Sequence, residues 1–558
     1  MSPLASRKER PWWRDAVTYQ IYPRSYADSN GDGIGDVEGI RSRLPYLKQL
    51  GIDAIWISPW YPSPQHDHGY DVADYMDIEP DYGTLAQAET LIKEANDLGI
   101  KLIVDIVPNH TSSDHTWFQA ALKAGPGSPE RNRYMFREGK GPNGDLPPNN
   151  WEAVFGGCAW ERVIEADGKP GQWYLHLFAV EQPDLNWENP EVVAHLEDVL
   201  KFWLDRGVAG FRIDVAHGMF KEKGLPDIRK DPAASMLGTE HKPFWDQEGV
   251  HDIYRSWRKI LDSYPGDRMA VAEAWVSPSE RIARYVRSDE LQNSFNFEML
   301  TTLWDAKEIK RKINNSIDAL EEVGAPTSWV FNNHDVVRSV DRLDLGLTNH
   351  GDTTLSRQGD PKKLNIARGT LRARSAALMT LALPGGTYLY QGEELAVPEV
   401  RDIPEDRLTD PRWKMSGFSD RGRDGCRVPM PWTSNPAGAF GFSTNASLKP
   451  EQAWLPQSPW WGTYAVDTQD GVEGSTLSMY RKALAIRKGE EGLGDGPMEW
   501  IEAGKDVVAF ERPGDFACYI NFGAPIELPS NSQVLVSSGP ITGHTLPTDT
   551  AAWVRLVS

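Results

Sequence analysis

Short apolar runs recur along the chain, and longer stretches with apolar residues three and four apart separate them. The runs AVTYQIYP (16–23), AIWISP (54–59), KLIVDIVPN (101–109), GVAGFRID (207–214), MAVAEAW (269–275), NSFNF (293–297), SWVFNNHD (328–335) and TYLYQGEE (387–394) read as strands. The spacers LAQAETLIKEANDLG (85–99) and PEVVAHLEDVLKFWLDRG (190–207) read as helices closed by glycine. Strands alternating with helices imply parallel pairing through right-handed crossovers, and eight such units close a (β/α)8 TIM barrel. A doubly wound sheet shares this periodicity. Polar residues at the run ends favour the barrel, because barrels assemble their sites at the C-terminal ends of their strands. Asp105, Asn109 and His110 close the third run or follow it directly, and Asp214 closes the fourth, Glu273 the fifth, and His334 with Asp335 the seventh.

Residues 111–182, rich in Gly, Pro, Asn and Trp, are too long for a plain βα connection and predict a subdomain inserted after the third strand. A second insertion, 219–249, is expected to form part of the site's rim. Past about residue 488 the runs DVVAFER, FACYINF, QVLVSS and AAWVRLV predict a C-terminal antiparallel β-sandwich. The expected organisation is an α/β barrel over 1–110 and 183–488, an inserted subdomain over 111–182, and a β domain over 489–558.

Composition narrows the function. The 558 residues carry a formal net charge of −21, which repels phosphate backbones and anionic lipid and argues against nucleic-acid or membrane partners. Cysteines 158, 426 and 518 are odd in number and far apart, a pattern of reduced thiols rather than of a disulfide framework or metal site. The N-terminus lacks an apolar signal region, and no run reaches the ~18 apolar residues that span a bilayer. A soluble cytoplasmic protein, monomeric or homodimeric, is the expectation.

Alternation in GFRIDVAHG (210–218) turns Phe211 and Ile213 to one face and Arg212 with Asp214 to the other. A full positive and a full negative charge inside a sheet fit the mouth of a barrel. Asp214, Glu273 and Asp335 would converge there. Two carboxyls flanking a bond are the minimum for glycoside hydrolysis, one protonating the leaving oxygen while the other attacks or orders water. Arg212 would keep Asp214 ionised, as suits a nucleophile, and an apolar wall of Ala272, Ala274 and Trp275 would favour Glu273 as the protonated general acid. A buried Arg–Asp pair that only satisfies itself is the bland alternative, which three strand-end acids weaken.

The same residues carry a family resemblance. DIVPNH (105–110), GFRIDVAHG (210–218), AEAWV (272–276) and FNNHD (331–335) resemble the four ordered motifs of glycoside hydrolase family 13, the α-amylase family. QPDLNW (182–187) resembles the fifth motif of its α-glucosidase and oligo-1,6-glucosidase branch. The resemblance implies a retaining mechanism, with Asp214 forming a covalent glycosyl-enzyme, Glu273 acting as acid then base, and Asp335 stabilising the distorted ring. Retention places the two reacting carboxyls about 5–5.5 Å apart. It further implies that His110, Arg212 and His334 bind sugar hydroxyls, and that Asp67 grips the non-reducing-end glucose on which Tyr70 stacks. Arg423, in GRDGCRVPMPW (422–432), would pair with Asp67 and block deeper sugar sites, with Phe155, Phe178 and Gln182 lining the same pocket. A blocked pocket admits only a chain end, which points to an exo-acting α-glucosidase on short oligosaccharides or disaccharides. Val215, after the nucleophile, leans toward α-1,6 or mixed linkage.

DSNGDGIGD (28–36) offers Asp28, Asn30, Asp32, the Ile34 carbonyl and Asp36 as oxygen ligands at alternate positions, the logic of a hard-cation loop. Structural Ca²⁺ is expected, with Mg²⁺ as the alternative, and no organic cofactor. Rival functions are an α-glucosyltransferase or sucrose isomerase with the same acids, and an inactive relative serving as an interaction module. The chain lacks the RLDRD run of the isomerases and retains all three acids.

Overall fold

All eight apolar runs form strands, which we number β1 (Val17–Ile21), β2 (Ala54–Ile57), β3 (Lys101–Ile106), β4 (Gly210–Ile213), β5 (Met269–Ala272), β6 (Asn293–Asn296), β7 (Ser328–Val330) and β8 (Gly386–Tyr390). The structure is a computed structural model and describes residues 7, 9–228, 242–348 and 359–557. The strands close into a ring in chain order, each parallel to both neighbours, which settles the barrel against the doubly wound sheet. Alternation works as read: Phe211 and Ile213 face outward into the main core, while Trp56, Ile103, Val271, Phe295 and Tyr388 fill the interior.

Register decides where the strand-end acids arrive. Asp105 lies opposite Arg212 across β3 and β4, and Ile213 opposite Ala272 across β4 and β5. The ladder runs one step further, with Asp214 N donating to Ile106 O at 2.8 Å and Glu273 N to Ile213 O at 2.9 Å. Both acids therefore leave their strands at the same rim. Gly210 is needed for this close pairing, because a Cβ there would lie 2.1 Å from Met269 O.

Between β3 and β4 lie helix Thr116–Ala124, a three-stranded antiparallel sheet (Phe136–Arg137, Trp160–Ile164, Pro170–Leu175) and helix Pro190–Asp205. The long helix starts where the sequence says it should, with Asn189 capping Glu191 N and a proline in the first turn. Trp151, Phe155, Trp160, Leu175 and Phe178 of the insertion pack with Val215 and Trp245 from the segment after β4. The inserted sheet is thereby fixed on the barrel's C-terminal rim. Residues 229–241 of the second expected insertion lie outside the described residues, while Phe244 and Trp245 join this cluster.

The C-terminal sheet has five antiparallel strands, ordered Glu499–Trp500, Val507–Arg512, Phe516–Asn521, Thr550–Leu556, Ser532–Ser537. Val508, Phe510, Cys518, Ile520 and Trp553 join the barrel's core, and Trp553 Nε1 donates to Leu378 O at 2.9 Å on helix Ile366–Ala382. The other face meets Leu528 and Leu546, beside a two-stranded ribbon of Ile526–Glu527 and Thr545–Leu546. The expected sandwich is thus unequal, because the barrel itself covers one face of the large sheet. Among the described residues no helix is long and apolar enough to cross a membrane.

Candidate active site

Arg212 is 1% exposed, with its guanidinium 5.0 Å from the centre of the Trp56 ring and 5.7 Å from that of Tyr70. Its Nη1 donates to Asp105 Oδ1 at 2.9 Å and to Asp214 Oδ1 at 2.5 Å, and its Nη2 lies 2.8 Å from Glu273 Oε2. One buried cation therefore gathers three buried carboxylates from the ends of β3, β4 and β5.

This sharing changes the expected electrostatics. Burial pushes the Asp214 carboxyl well above the ordinary carboxylate range, and Glu273 and Asp105 add to the rise against the pull of Arg212. Burial also lifts Asp105, to about 7, again against Arg212. Arg212 alone does not keep Asp214 ionised, as the sequence suggested, because its single charge is divided among three acids. Three buried acids on one guanidinium are electrostatically coupled, and each affects the ionisation of the others. The apolar wall expected around Glu273 is also absent. Alternation sends Ala272 and Ala274 to the outer core, and Glu273 instead accepts from Val215 N at 3.0 Å and from Trp275 Nε1 at 3.2 Å. Val215, a β-branched residue at φ 42, holds a strained backbone that aims this N–H.

Asp335 stands beside a second cationic group. Its Oδ1 accepts from Arg423 Nη1 at 3.0 Å and from Arg427 Nη2 at 2.9 Å, and its Oδ2 lies 3.3 Å from His334 Nε2. Burial opposes ionisation here, yet the guanidiniums of Arg423 and Arg427 hold the carboxyl well below the usual range. Arg423 Nη2 donates to Asp67 Oδ1 at 2.8 Å, forming the pairing expected from the sequence. Arg423 thus spans Asp67 and Asp335, with its guanidinium 5.2 Å from the centre of the Phe155 ring.

The remaining expected residues complete one wall. Gln182 Nε2 donates to Asp67 Oδ2 at 3.2 Å and to the Tyr70 carbonyl at 3.3 Å, and lies 3.1 Å from His110 Nε2. His110 packs on Phe178 at 5.2 Å between ring centres, and Phe178 on Phe155 at 5.8 Å. Tyr70 donates to Asp105 Oδ2 at 3.2 Å, and its ring stacks on His334 at 5.1 Å, so one face of the ring expected to take a sugar meets an imidazole. Burial lowers His110 to about 4 and His334 well below its ordinary value, so both are neutral hydrogen-bonding groups at neutral pH.

The acidic loop folds onto its own backbone. Asp28 accepts from Gly31 N at 2.6 Å and Gly33 N at 2.8 Å, Asn30 from Asp32 N at 2.9 Å, and Asp32 from Ile34 N at 2.8 Å. Asp36 caps helix Val37–Ser42 through Gly39 N at 2.6 Å and holds Ser29. Among the described residues no three His, Cys, Asp or Glu side chains are grouped to hold a metal.

Several site residues escaped the sequence. Asp105 was visible only as a strand-end acid, and its pairing with Arg212 needed the β3–β4 register. Arg427 ends the short helix Asp424–Arg427 and Asp410 caps the short helix Pro411–Met415, and neither element has a periodicity that marks the residue. Lys221, with Nζ 2.9 Å from Asn109 Oδ1 and 2.8 Å from Asp184 Oδ2, supports His110 through Asn109, and no motif announces it.

Residues 20–496 match the Alpha-amylase family, described as the alpha amylase catalytic domain. The chain is 36% identical over 560 residues to a probable alpha-glucosidase of Rhizobium meliloti (strain 1021), covering 96% of this chain and 93% of that protein. It is 37% identical over 511 residues to an oligo-1,6-glucosidase of Parageobacillus thermoglucosidasius, covering 86% and 84% of the two. Among solved structures it is similar to the alpha-glucosyl transfer enzyme XgtA, with a TM-score of 0.83 at 33% identity, covering 98% of this chain and 100% of that one. The barrel, its gathered acids and these likenesses agree, and the chain belongs to glycoside hydrolase family 13, the alpha-amylase family, beside its α-glucosidases and oligo-1,6-glucosidases.

Proposed function

We propose that the protein is an exo-acting, retaining α-glucosidase that releases terminal non-reducing α-linked glucose from short oligosaccharides or disaccharides. The observation that carries this reading is the span of Arg423 between Asp67 and Asp335, which supports a pocket blocked beyond the glucose next to the cleaved bond. Asp214 attacks C1 as Glu273 gives its proton to the departing oxygen, so the C1–O bond breaks and a glucosyl ester forms. In this reading the gathered acids share one proton, which sits on Glu273 at that moment. Glu273 then takes a proton from water as the water oxygen attacks C1, the C1–O bond to Asp214 breaks, and the carboxylate leaves with the α configuration restored. Ionised Asp335 stabilises the positive charge that builds on the ring. Two carboxyls on two nitrogens of one guanidinium support the close spacing of retention over the wider spacing of inversion.

Water, a second sugar or a returning fructose decides between hydrolysis, transfer and isomerisation, and the likeness to XgtA favours transfer as the second outlet. The Asp28–Asp36 loop is proposed as a structural Ca²⁺ site, with Mg²⁺ as the alternative, supported by its alternating oxygen donors. The three cysteines are unpaired, which supports a reducing compartment such as the cytoplasm.

Asp214→Asn is expected to lower kcat on an aryl α-glucoside by at least about 10³-fold without unfolding, and proton NMR of the wild-type reaction to show α-glucose formed first. Near-normal turnover in the variant would refute the nucleophile assignment, and β-glucose formed first would refute retention. Arg423→Ala should let maltoheptaose bind internally and yield internal fragments; a purely terminal product pattern would rule out the blocking role.

The alkaline limb of kcat/KM reports loss of the proton held by the cluster. Asp105→Asn removes a negative neighbour and frees Arg212 charge, both of which favour the ionised acids, so that limb should move to lower pH by about one unit. A limb that stays put or moves up would contradict the shared-proton account. Chelation with EDTA is expected to lower Tm by at least about 2 °C and leave the pH profile unchanged, and a constant Tm would dismiss the cation loop.

A further inference from the structure

Arg423 is aimed by a third carboxylate, on Asp410, a residue with 1% exposure. Asp410 Oδ2 accepts from Arg423 Nε at 2.7 Å and from the Arg423 backbone N at 2.7 Å. Its Oδ1 accepts from Arg423 Nη2 at 3.2 Å and from Arg412 N at 2.9 Å. The carboxylate therefore grips the Nε–Nη2 edge of the guanidinium and ties together both ends of the strap 411–422. The opposite side of the guanidinium is left for Asp335, and the outer Nη2 proton for Asp67. A guanidinium held along one edge by two acceptor oxygens cannot turn about its own axis, so the grip sets the direction of both outward bonds.

The strap is built around this carboxylate. Gly422 has φ 65, and a Cβ there would lie 2.5 Å from the Asp410 carboxyl carbon, so only glycine leaves the acid its place. Asp410 is fixed from behind, its backbone N donating to Asp424 Oδ2 at 3.1 Å beside Thr409 N at 2.6 Å. Burial works against its charge, but Arg423, Arg427 and Arg412 outweigh burial and hold it well below the usual carboxylate range. None of the motifs that carry the family likeness includes Asp410.

We propose that Asp410 is a positioning residue that fixes the Arg423 guanidinium across Asp67 and Asp335, so that selectivity for a chain end belongs to the strap and not to Arg423 alone. The inference rests on the chain-end reading given above. Asp410→Asn places an amide NH₂ or a neutral oxygen against the guanidinium edge. It is expected to raise KM for an aryl α-glucoside about 10-fold with kcat changed less than about 3-fold, and to release internal fragments from maltoheptaose.

In an Arg423→Ala background the same substitution should change neither quantity, because its partner is gone. An unchanged KM in Asp410→Asn, or an equal effect in both backgrounds, overturns the proposal. Terminal-only products from Arg423→Ala would defeat the chain-end reading instead, and the coupling of Asp410 to Arg423 in KM would still decide the positioning role. Should Asp410→Asn fail to fold, Gly422→Ala presses a methyl group on the same carboxylate. It is expected to give the same KM rise and the same dependence on Arg423, and its failure to do so overturns the inference equally.

Discussion

One buried guanidinium organises the catalytic centre. Arg212 faces three carboxylates from three consecutive strands, and a single positive charge cannot neutralise them all. With these side chains buried the excess negative charge is costly, and burial raises the carboxyls of Asp214 and Asp105 against the pull of Arg212. The proposed retaining mechanism needs one carboxyl that carries a proton while its neighbour is free to attack. Register brings the acids to Arg212 from two levels: Asp105 lies directly opposite it, and Asp214 and Glu273 leave their strands side by side two residues further on.

The far side of the pocket uses the opposite balance. Arg423 and Arg427 both meet Asp335 and hold it well below the usual carboxylate range, whereas burial raises Asp214. The same Arg423 reaches Asp67 and Asp410, and it thereby joins the loop after β2, the end of β7 and the strap after β8. Its planar fork suits this task, since separate edges can bind separate carboxylates in fixed directions, which a lysine ammonium could not do. Electrostatics thus sets the two sides of the pocket apart, with Asp214 and Asp105 raised by burial on one and Asp335 lowered by guanidiniums on the other.

Packing makes the pocket wall dependable. The inserted sheet meets the barrel through the aromatic cluster of Trp151, Phe155, Phe178 and Trp245, and Val215 belongs to that cluster while its N–H serves Glu273. Strain at one backbone position is held by the surrounding hydrophobic contacts, as expected where geometry matters to chemistry. The C-terminal sheet lies on the main core through Trp553 and its neighbours, away from the acids, and contributes stability rather than site residues.

The eight strands, the two long helices, the insertion after β3 and the three strand-end acids Asp214, Glu273 and Asp335 could all be read from the sequence. Apolar periodicity reports local structure directly, and ordered motifs mark residues near strand ends. Where the sequence misled, it did so about environment: Glu273 has alanines beside it in the chain but hydrogen-bond donors beside it in space, and Asp214 shares the cation that seemed its own. Asp105, Arg427, Lys221 and Asp410 took their roles only from the tertiary structure, because partners brought together by barrel closure and loop packing leave no trace in local spacing. The sequence by itself determined which chemical groups are present and on which strands they end; folding decided how one positive charge is divided among several negative ones, since that division depends on distances no linear pattern records.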